Sequence, residues 1–334
     1  MATLSDIAAR VGVSVSMVSR VLRDAPGTRV GEHTRARIRQ AAADLDYRPH
    51  FAGRALRSQR SQVLALVVPD LTNAVFAELM AGVEETASAH DHVVLLGRAE
   101  SMGVGSARLG ALVAEGRVDG ILLQPQREVT AEELAGAHGA PLVLINSLTE
   151  GHVGSVRLPD EQAGRCGARA LLDLGHRHIA FVGGRRSDYS SARRERGWRT
   201  QLAQAGVEHA PALHPGYTAE DGRSALRELA GLTPRPTAVL VANVNAAIGL
   251  LGEAHRAGVR VPEDLSVVAV HDAWTAQSTW PPLTTLAMPL RELGSQATQL
   301  LLDRLDGAPP RDELVDAPVR LVVRESTRAF TGNA

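Results

Sequence analysis

The chain has 334 residues, 44% apolar and 22% charged, enough for two or three domains with a sizeable core and a poor match to disorder or coiled coil. The single cysteine, Cys166, excludes a disulfide framework and every multi-cysteine zinc or iron–sulfur site. No apolar run reaches the ~18–20 residues of a membrane span, and the N-terminus lacks a basic segment followed by an apolar signal stretch, so a soluble, cytoplasmic protein with no membrane partner is expected.

The net charge of −1 conceals an asymmetry. Residues 1–62 carry eleven arginines against five carboxylates, or +6, and the remainder is −7. No lysine occurs, so every fixed cation is a guanidinium suited to forked contacts with phosphate or carboxylate, although a GC-rich genome would produce the same bias. A basic head on an acidic body suggests an N-terminal module that meets a polyanion.

Residues 4–47 read as three short helices. Ser5 is placed to cap the first, with Ile7, Ala8 and Val11 on one face and Gly12 ending it. After a turn at Gly12-Val13, Ser14 caps a second helix over 15–22, with Val18, Val21 and Leu22 inward and Ser16, Met17, Ser19 and Arg20 toward solvent. Helix, tight turn and capped helix are the parts of a helix-turn-helix. A third helix over 32–45 packs through Ile38, Ala41, Ala42 and Leu45, giving a core too small for most catalytic domains.

The segment 48–58 reads as a linker. Pro49 is tolerated in a first helical turn, so a short helix over 50–56 can form. Nucleation is costly at that length and Gly53 costs a further ~1 kcal/mol, so the segment is expected to fold on a partner and unfold without one.

From Val63 the pattern changes to apolar runs at 63–68, 93–96, 120–123, 142–145, 178–182, 238–241 and 265–270, separated by helical patterns such as 76–89, 163–174 and 245–257. Short apolar strands alternating with helices mean parallel sheets covered on both faces, and seven of them divide into two doubly wound α/β lobes.

Several motifs carry a resemblance. Asp6-Ile7-Ala8, Gly12-Val13-Ser14, Ser16, Val18-Ser19-Arg20-Val21-Leu22, Tyr47-x-Pro49 and 52–56 closely resemble the lactose repressor (LacI/GalR) family of bacterial transcription regulators. The likeness continues through 64–76, Asp119-Gly120-Ile121, 174–181, 261–268 and Pro282-Leu283-Thr284-Thr285, covering almost the whole chain. It implies a helix-turn-helix DNA-binding domain over 1–48, a hinge over 49–61 and a periplasmic-binding-protein-like core over 62–334. The core lobes would be 62–156 with 286–316 and 157–285 with 317–330, the chain crossing near 157, 286 and 317. It further implies a dimer or a dimer of dimers, of which the homodimer is the expectation because a match to the lactose repressor's tetramerising tail is missing after Phe330.

In helix-turn-helix geometry the second helix presents its first residues to the major groove of double-stranded operator DNA. Val15 can meet a thymine methyl, Ser16 a donor or acceptor, and Arg20 the O6 and N7 of guanine. By resemblance Val15 and Ser16 are the pair that discriminates operators. Ser5, Ser14, Ser19, Arg29 and Thr34 are placed for phosphates, Arg29 in a loop about two residues longer than is common in the family. Leu56 matches the family's minor-groove wedge, with Ala52 and Ala55 small enough for the contact and Gly53 replacing a commoner alanine.

Ligands of doubly wound folds sit at strand carboxyl ends, here between the lobes. By motif, the candidates for binding a small-molecule effector are Phe76, Asn146, Arg194, Tyr217, Asn243, His271, Trp274 and Met288. Arg194, three residues before Gly197-Trp198, fits the family's ligand-clasping arginine, able to hold a diol or an anion unless its arginine-dense run is a solvated helix face. Tyr217 can stack on an apolar ligand face. A carbohydrate follows from the family, but Asn146, Val244, His271 and Met288 replace residues common in relatives, which leaves an anionic effector, a nucleobase-like effector or no effector at all as alternatives. His271 would make binding pH-dependent if it reaches the ligand.

No enzyme motif is complete. The glycines at 103, 105 and 110 miss dinucleotide spacing, and no nucleophile elbow or phosphate loop occurs. His90-x-His92 and His176-x-His178 lack an evident third ligand, so neither metal nor cofactor is expected. The rival to a DNA-binding repressor controlled by an effector is a sugar-binding protein with no DNA-reading role.

Overall fold

In the computed structural model, which describes residues 2–22, 27–47, 60–125, 129–135, 139–148, 153–208 and 210–332, the first helix is capped by Thr3 rather than by Ser5. The Thr3 hydroxyl accepts from the Asp6 amide while the Asp6 carboxylate accepts from the Thr3 amide, a reciprocal capping box. Ser5 therefore lies inside α1 (Leu4–Val11), which ends at Gly12 with φ +74°. Ser14 caps α2 (Val15–Val21), its hydroxyl accepting from the Met17 amide at 3.2 Å. With α3 (Glu32–Asp44) these helices enclose Ile7, Val18, Val21 and Ile38. Met17, expected toward solvent, packs half-buried on this core.

The chain divides into two units, 1–61 and 62–334. The hinge candidates Ala52, Gly53, Ala55 and Leu56 lie outside the described residues.

The second unit holds two six-stranded sheets. The first joins β1 (Val63–Val68), β2 (Val93–Arg98), β3 (Gly120–Leu123), β4 (Leu142–Ile145), β5 (Ser155–Arg157) and β11 (Asp312–Leu314) in the order β11-β5-β4-β3-β1-β2, every pair parallel. The second joins β6 (Ile179–Val182), β7 (Ala212–Leu213), β8 (Ala238–Val241), β9 (Ser266–Val270), β10 (Thr284–Ala287) and β12 (Arg320–Val322) in the order β12-β10-β9-β8-β6-β7. Only β12 runs antiparallel to its neighbour among these pairs. The central strands β3, β4, β6, β8 and β9 are buried along their whole length, as continuous apolar runs between two helical layers must be.

The helices of this unit follow as α4 (Phe76–Ala89), α5 (Ala99–Met102), α6 (Ala107–Ala114), α7 (Ala131–Ala135), α8 (Asp160–Asp173), α9 (Tyr189–Gln204), α10 (Ala219–Ala230), α11 (Val244–Ala257) and α12 (Leu290–Leu305), with a 3-10 turn at Trp274–Ser278. Helix α12 returns to pack with α4 on the first sheet, whereas α8 packs with α9 on the second. The chain passes between sheets at 158–159, 288–289 and 315–319. The middle passage falls later than the expected 286, because Leu286 and Ala287 still pair with Leu321 and Arg320 in the second sheet.

The α8–α9 crossing is unusually close. A Cβ on Gly164 would stand 1.9 Å from the Arg194 carbonyl oxygen, and one on Gly197 1.9 Å from that of Glu161. Two bare backbones facing each other bring the first turn of α8 against α9, and with it Asp160 against Arg194.

Candidate functional site

The first unit presents a polar face beside its small core. Val15 is 43% exposed, and Ser16 and Arg20 are exposed beside it on α2, because Val18 and Val21 turn the opposite face inward. Ser5 and Arg29 are exposed, Ser19 and Thr34 half-buried, and the Ser14 hydroxyl caps α2 from an exposed position. Arg37 closes the other end of α1 by donating to the Val11 carbonyl at 3.0 Å.

In the second unit the sheets place a cleft of about 580 Å³ between the lobes. Its walls come from the residues that follow strands: Asp70 after β1, Gln124 after β3, Asn146 after β4, Tyr217 after β7, Asn243 after β8 and His271 after β9. Phe76 adds the first residue of α4. Asn146 and His271 adopt φ of +47° and +72°, conformations unfavourable for residues with a Cβ and characteristic of functional positions.

A buried polar network underlies this wall. Arg194 is 2% exposed and so is not part of a solvated face. Its Nε donates to Asp160 Oδ1 at 2.8 Å, its Nη1 to the Ala242 carbonyl at 2.6 Å and its Nη2 to His271 Nε2 at 2.9 Å. Asp160, fully buried, also accepts from Asn146 Nδ2 at 3.1 Å. Asn146 Nδ2 donates to Ser190 Oγ as well, and its Oδ1 accepts from the Leu158 amide. Much of the expected ligand-clasping fork of Arg194 is thus spent inside the protein, tying α8, α9, β8 and β9 together at the cleft floor.

Burial and the neighbouring Arg194 cation push the His271 imidazole well below its ordinary 6.5, which favours the neutral ring. Burial raises the Tyr217 hydroxyl far above its ordinary value, so it lines the cleft as a neutral O–H. Asn243 caps α11, its Oδ1 accepting from the Asn245 amide at 2.7 Å. Burial likewise raises the Asp188 carboxyl on the cleft wall.

Phe76, Asn146, Arg194, Tyr217, Asn243 and His271 are therefore brought together, whereas two expected members are not. Trp274 stands on the 3-10 turn, 67% exposed, beside a second groove of about 510 Å³ that it shares with Leu251, His255, Trp280 and Ile248, the last of which also lines the cleft. Met288 is buried in the apolar core rather than in the cleft wall. Asp160, which the sequence reading passed over, is the network's acid. The available signal was its place on the stripe shared with Ala163, Gly164, Gly167, Ala168 and Leu171 on α8, where a carboxylate can stay only if paired.

Among the described residues no group of three or more His, Cys, Asp or Glu is placed to hold a metal ion, and no helix is long and apolar enough to cross a membrane. His176 is engaged by Thr237 at Nδ1 and by Ser266 at Nε2.

Known proteins match both units. The profile described as "Bacterial regulatory proteins, lacI family" matches residues 3–50, and that of a periplasmic binding protein-like domain matches 168–327. The HTH-type transcriptional repressor CytR of Escherichia coli strain K12 is 31% identical, across 98% of this chain and 97% of its own. The chain belongs to the lacI family of bacterial regulatory proteins. Two solved structures are similar over nearly the full length. The lac repressor dimer bound to operator and the anti-inducer ONPF has a TM-score of 0.82 at 26% identity, covering 98% of this chain and 99% of that one. The transcriptional regulator CelR in complex with cellobiose has a TM-score of 0.73 at 28% identity, covering 98% and 100%. These relatives are transcriptional regulators, not enzymes.

Proposed function

We propose that this member of the family is a sequence-specific transcriptional repressor that binds a two-fold-symmetric operator as a homodimer, its affinity set by a small molecule in the cleft. The observation that carries the reading is the pairing of an exposed Val15–Ser16–Arg20 face on a capped second helix with a ligand-sized cleft at strand carboxyl ends. The lac repressor's operator and the cellobiose held by CelR support DNA and a sugar or sugar derivative as the two partners. The chain catalyses no reaction in this reading, needs no cofactor, and works in the bacterial cytoplasm, where its DNA lies.

The units divide the labour into a DNA-binding head over 1–48, a hinge over 49–61 that orders on DNA with Leu56 as its wedge, and the effector-binding, dimerising core. Ligand changes closure of the lobes and, through the hinge, operator affinity. Such coupling is reciprocal, so operator must change effector affinity by the same factor, typically ~5–150-fold. Two apolar patches support a dimer: the groove beside Trp274 and Trp280, and the exposed Val93, Leu95 and Leu96 on edge strand β2.

The test is selection of random duplex DNA by the full chain at ~0.15 M salt, where specific sites should exceed non-specific ones by ~10³ or more. A two-fold-symmetric motif with a flexible central step is the expected result. No enriched motif, with or without candidate ligands, would leave a binding protein without a DNA-reading role.

A further inference from the structure

The His271 ring has two nitrogens in different circumstances. Nε2 accepts from Arg194 Nη2 at 2.9 Å and therefore carries no proton. A neutral imidazole keeps one proton, so Nδ1 is the N–H, and the tautomer follows from a cation that can only donate. That Nδ1 is buried and without a hydrogen-bond partner, in a residue 5% exposed that forms part of the cleft wall. A desolvated donor with nothing to bond is costly, and the remedy on offer at this wall is whatever fills the cleft.

The charges around it restrict what that is. Arg194 is neutralised by Asp160 at 2.7 Å. Among the other described lining residues Arg185 is outnumbered by three carboxyl-bearing residues, Asp70, Asp188 and Asp221. The described lining residues hold no surplus of positive charge for an anion.

Resting on the reading of this cleft as the effector site, we infer that His271 selects an uncharged ligand by donating its Nδ1–H to an acceptor atom of that ligand, with Arg194 as the positioning residue that fixes the tautomer. Where an ionised acid at this position would accept from a ligand hydroxyl, His271 demands an acceptor: a carbonyl, a ring nitrogen or a hydroxyl oxygen. Sugars and nucleosides both carry one, and the experiment separates them.

Full-length protein is titrated with D-ribose, cellobiose and uridine, and with ribose 5-phosphate and uridine 5′-phosphate, following heat release and thermal stability. At least one uncharged probe should bind and raise the melting temperature, and the matching phosphate ester should bind more weakly. His271→Gln, which keeps an N–H donor, should hold affinity for that probe within about tenfold, and His271→Asp, an acceptor alone, should lose about a hundredfold or more. Tighter binding of a phosphate ester, undiminished binding by the Asp variant, or no response to any uncharged probe at roughly 10 mM would overturn the inference. A measurement on unmutated protein guards against variants that fail to fold. The ¹⁵N shifts of His271 should show Nδ1 protonated and Nε2 bare, and the reverse tautomer would also overturn it. Duplex selection decides the repressor reading separately, since neither nitrogen shift depends on DNA.

Discussion

Arg194 donates from Nη2 to His271 Nε2 across 2.9 Å, a cation and a neutral histidine joined at the floor of the cleft. The contact is sustainable because the same guanidinium is neutralised by Asp160, so the histidine faces an ion pair rather than a bare charge.

Removing one member should therefore be worse than removing the charge from both. Arg194→Leu leaves the fully buried Asp160 carboxylate unpaired and should cost about 3–5 kcal/mol in urea unfolding of the core. The double variant Arg194→Leu with Asp160→Asn should recover part of that loss. A single-variant cost under about 1 kcal/mol would mean the network does not hold the cleft floor together.

Acid should destabilise the core through two buried histidines. Burial lowers both His271 and His176 from the ordinary 6.5, so the unfolded chain takes up protons that the folded one refuses. Stability is thus full above 6.5 and lost as pH falls from there toward the depressed folded values, by up to about 1.4 kcal/mol per pH unit for each histidine that stays neutral. Urea midpoints measured from pH 8 down to 5 should show that slope, and His271→Gln should flatten it. An unchanged slope in the variant would show that His271 is not held neutral.

Much of this architecture was legible because buried parallel strands are runs of Val, Leu, Ile and Ala. Expectations at 63–68, 120–123, 142–145 and 238–241 coincide with β1, β3, β4 and β8. The strands not foreseen are short ones with few apolar residues, such as β11, which contributes Asp312 and Glu313, or β12, which starts at Arg320. Their backbones are placed by the sheet they join rather than by their own pattern. The site was half legible for a similar reason. Strand-end residues could be located, but that Arg194 would spend its donors on Asp160 depends on partners far apart in sequence and on the Gly164–Gly197 crossing. A motif position likewise does not reveal that Trp274 stands exposed on a 3-10 turn beside the neighbouring groove.

On DNA, the exposed face of α2 should separate into readers and anchors. Arg20→Ala should cost about 1–3 kcal/mol on the preferred operator and relax specificity at one symmetric base-pair position. Arg29→Ala, as an anchor on phosphate, should weaken all sequences alike and reduce the salt slope by about 1. Repeating the duplex selection with each variant, and following affinity between about 50 and 200 mM salt, distinguishes the roles. Equal loss on every sequence for Arg20→Ala would move it to the phosphate class.

The exposed tryptophans make the last case. Trp280 is 85% exposed and Trp274 67%, which gives them little part in holding the core but makes them expensive to leave in water beside Ile248 and Leu251. If this groove is buried in the dimer, Trp280→Ser should shift sedimentation equilibrium toward monomer with little change in the protomer's unfolding midpoint. Operator affinity should fall with it, because a monomer engages one half-site and loses the effective concentration that tethers the second head. Leu95→Ser on edge strand β2 probes the other patch in the same assay. A Trp280→Ser protein that remains fully dimeric while Leu95→Ser dissociates would transfer the interface to the edge of the first sheet. Dimers unaffected by either change would remove both patches from the assembly.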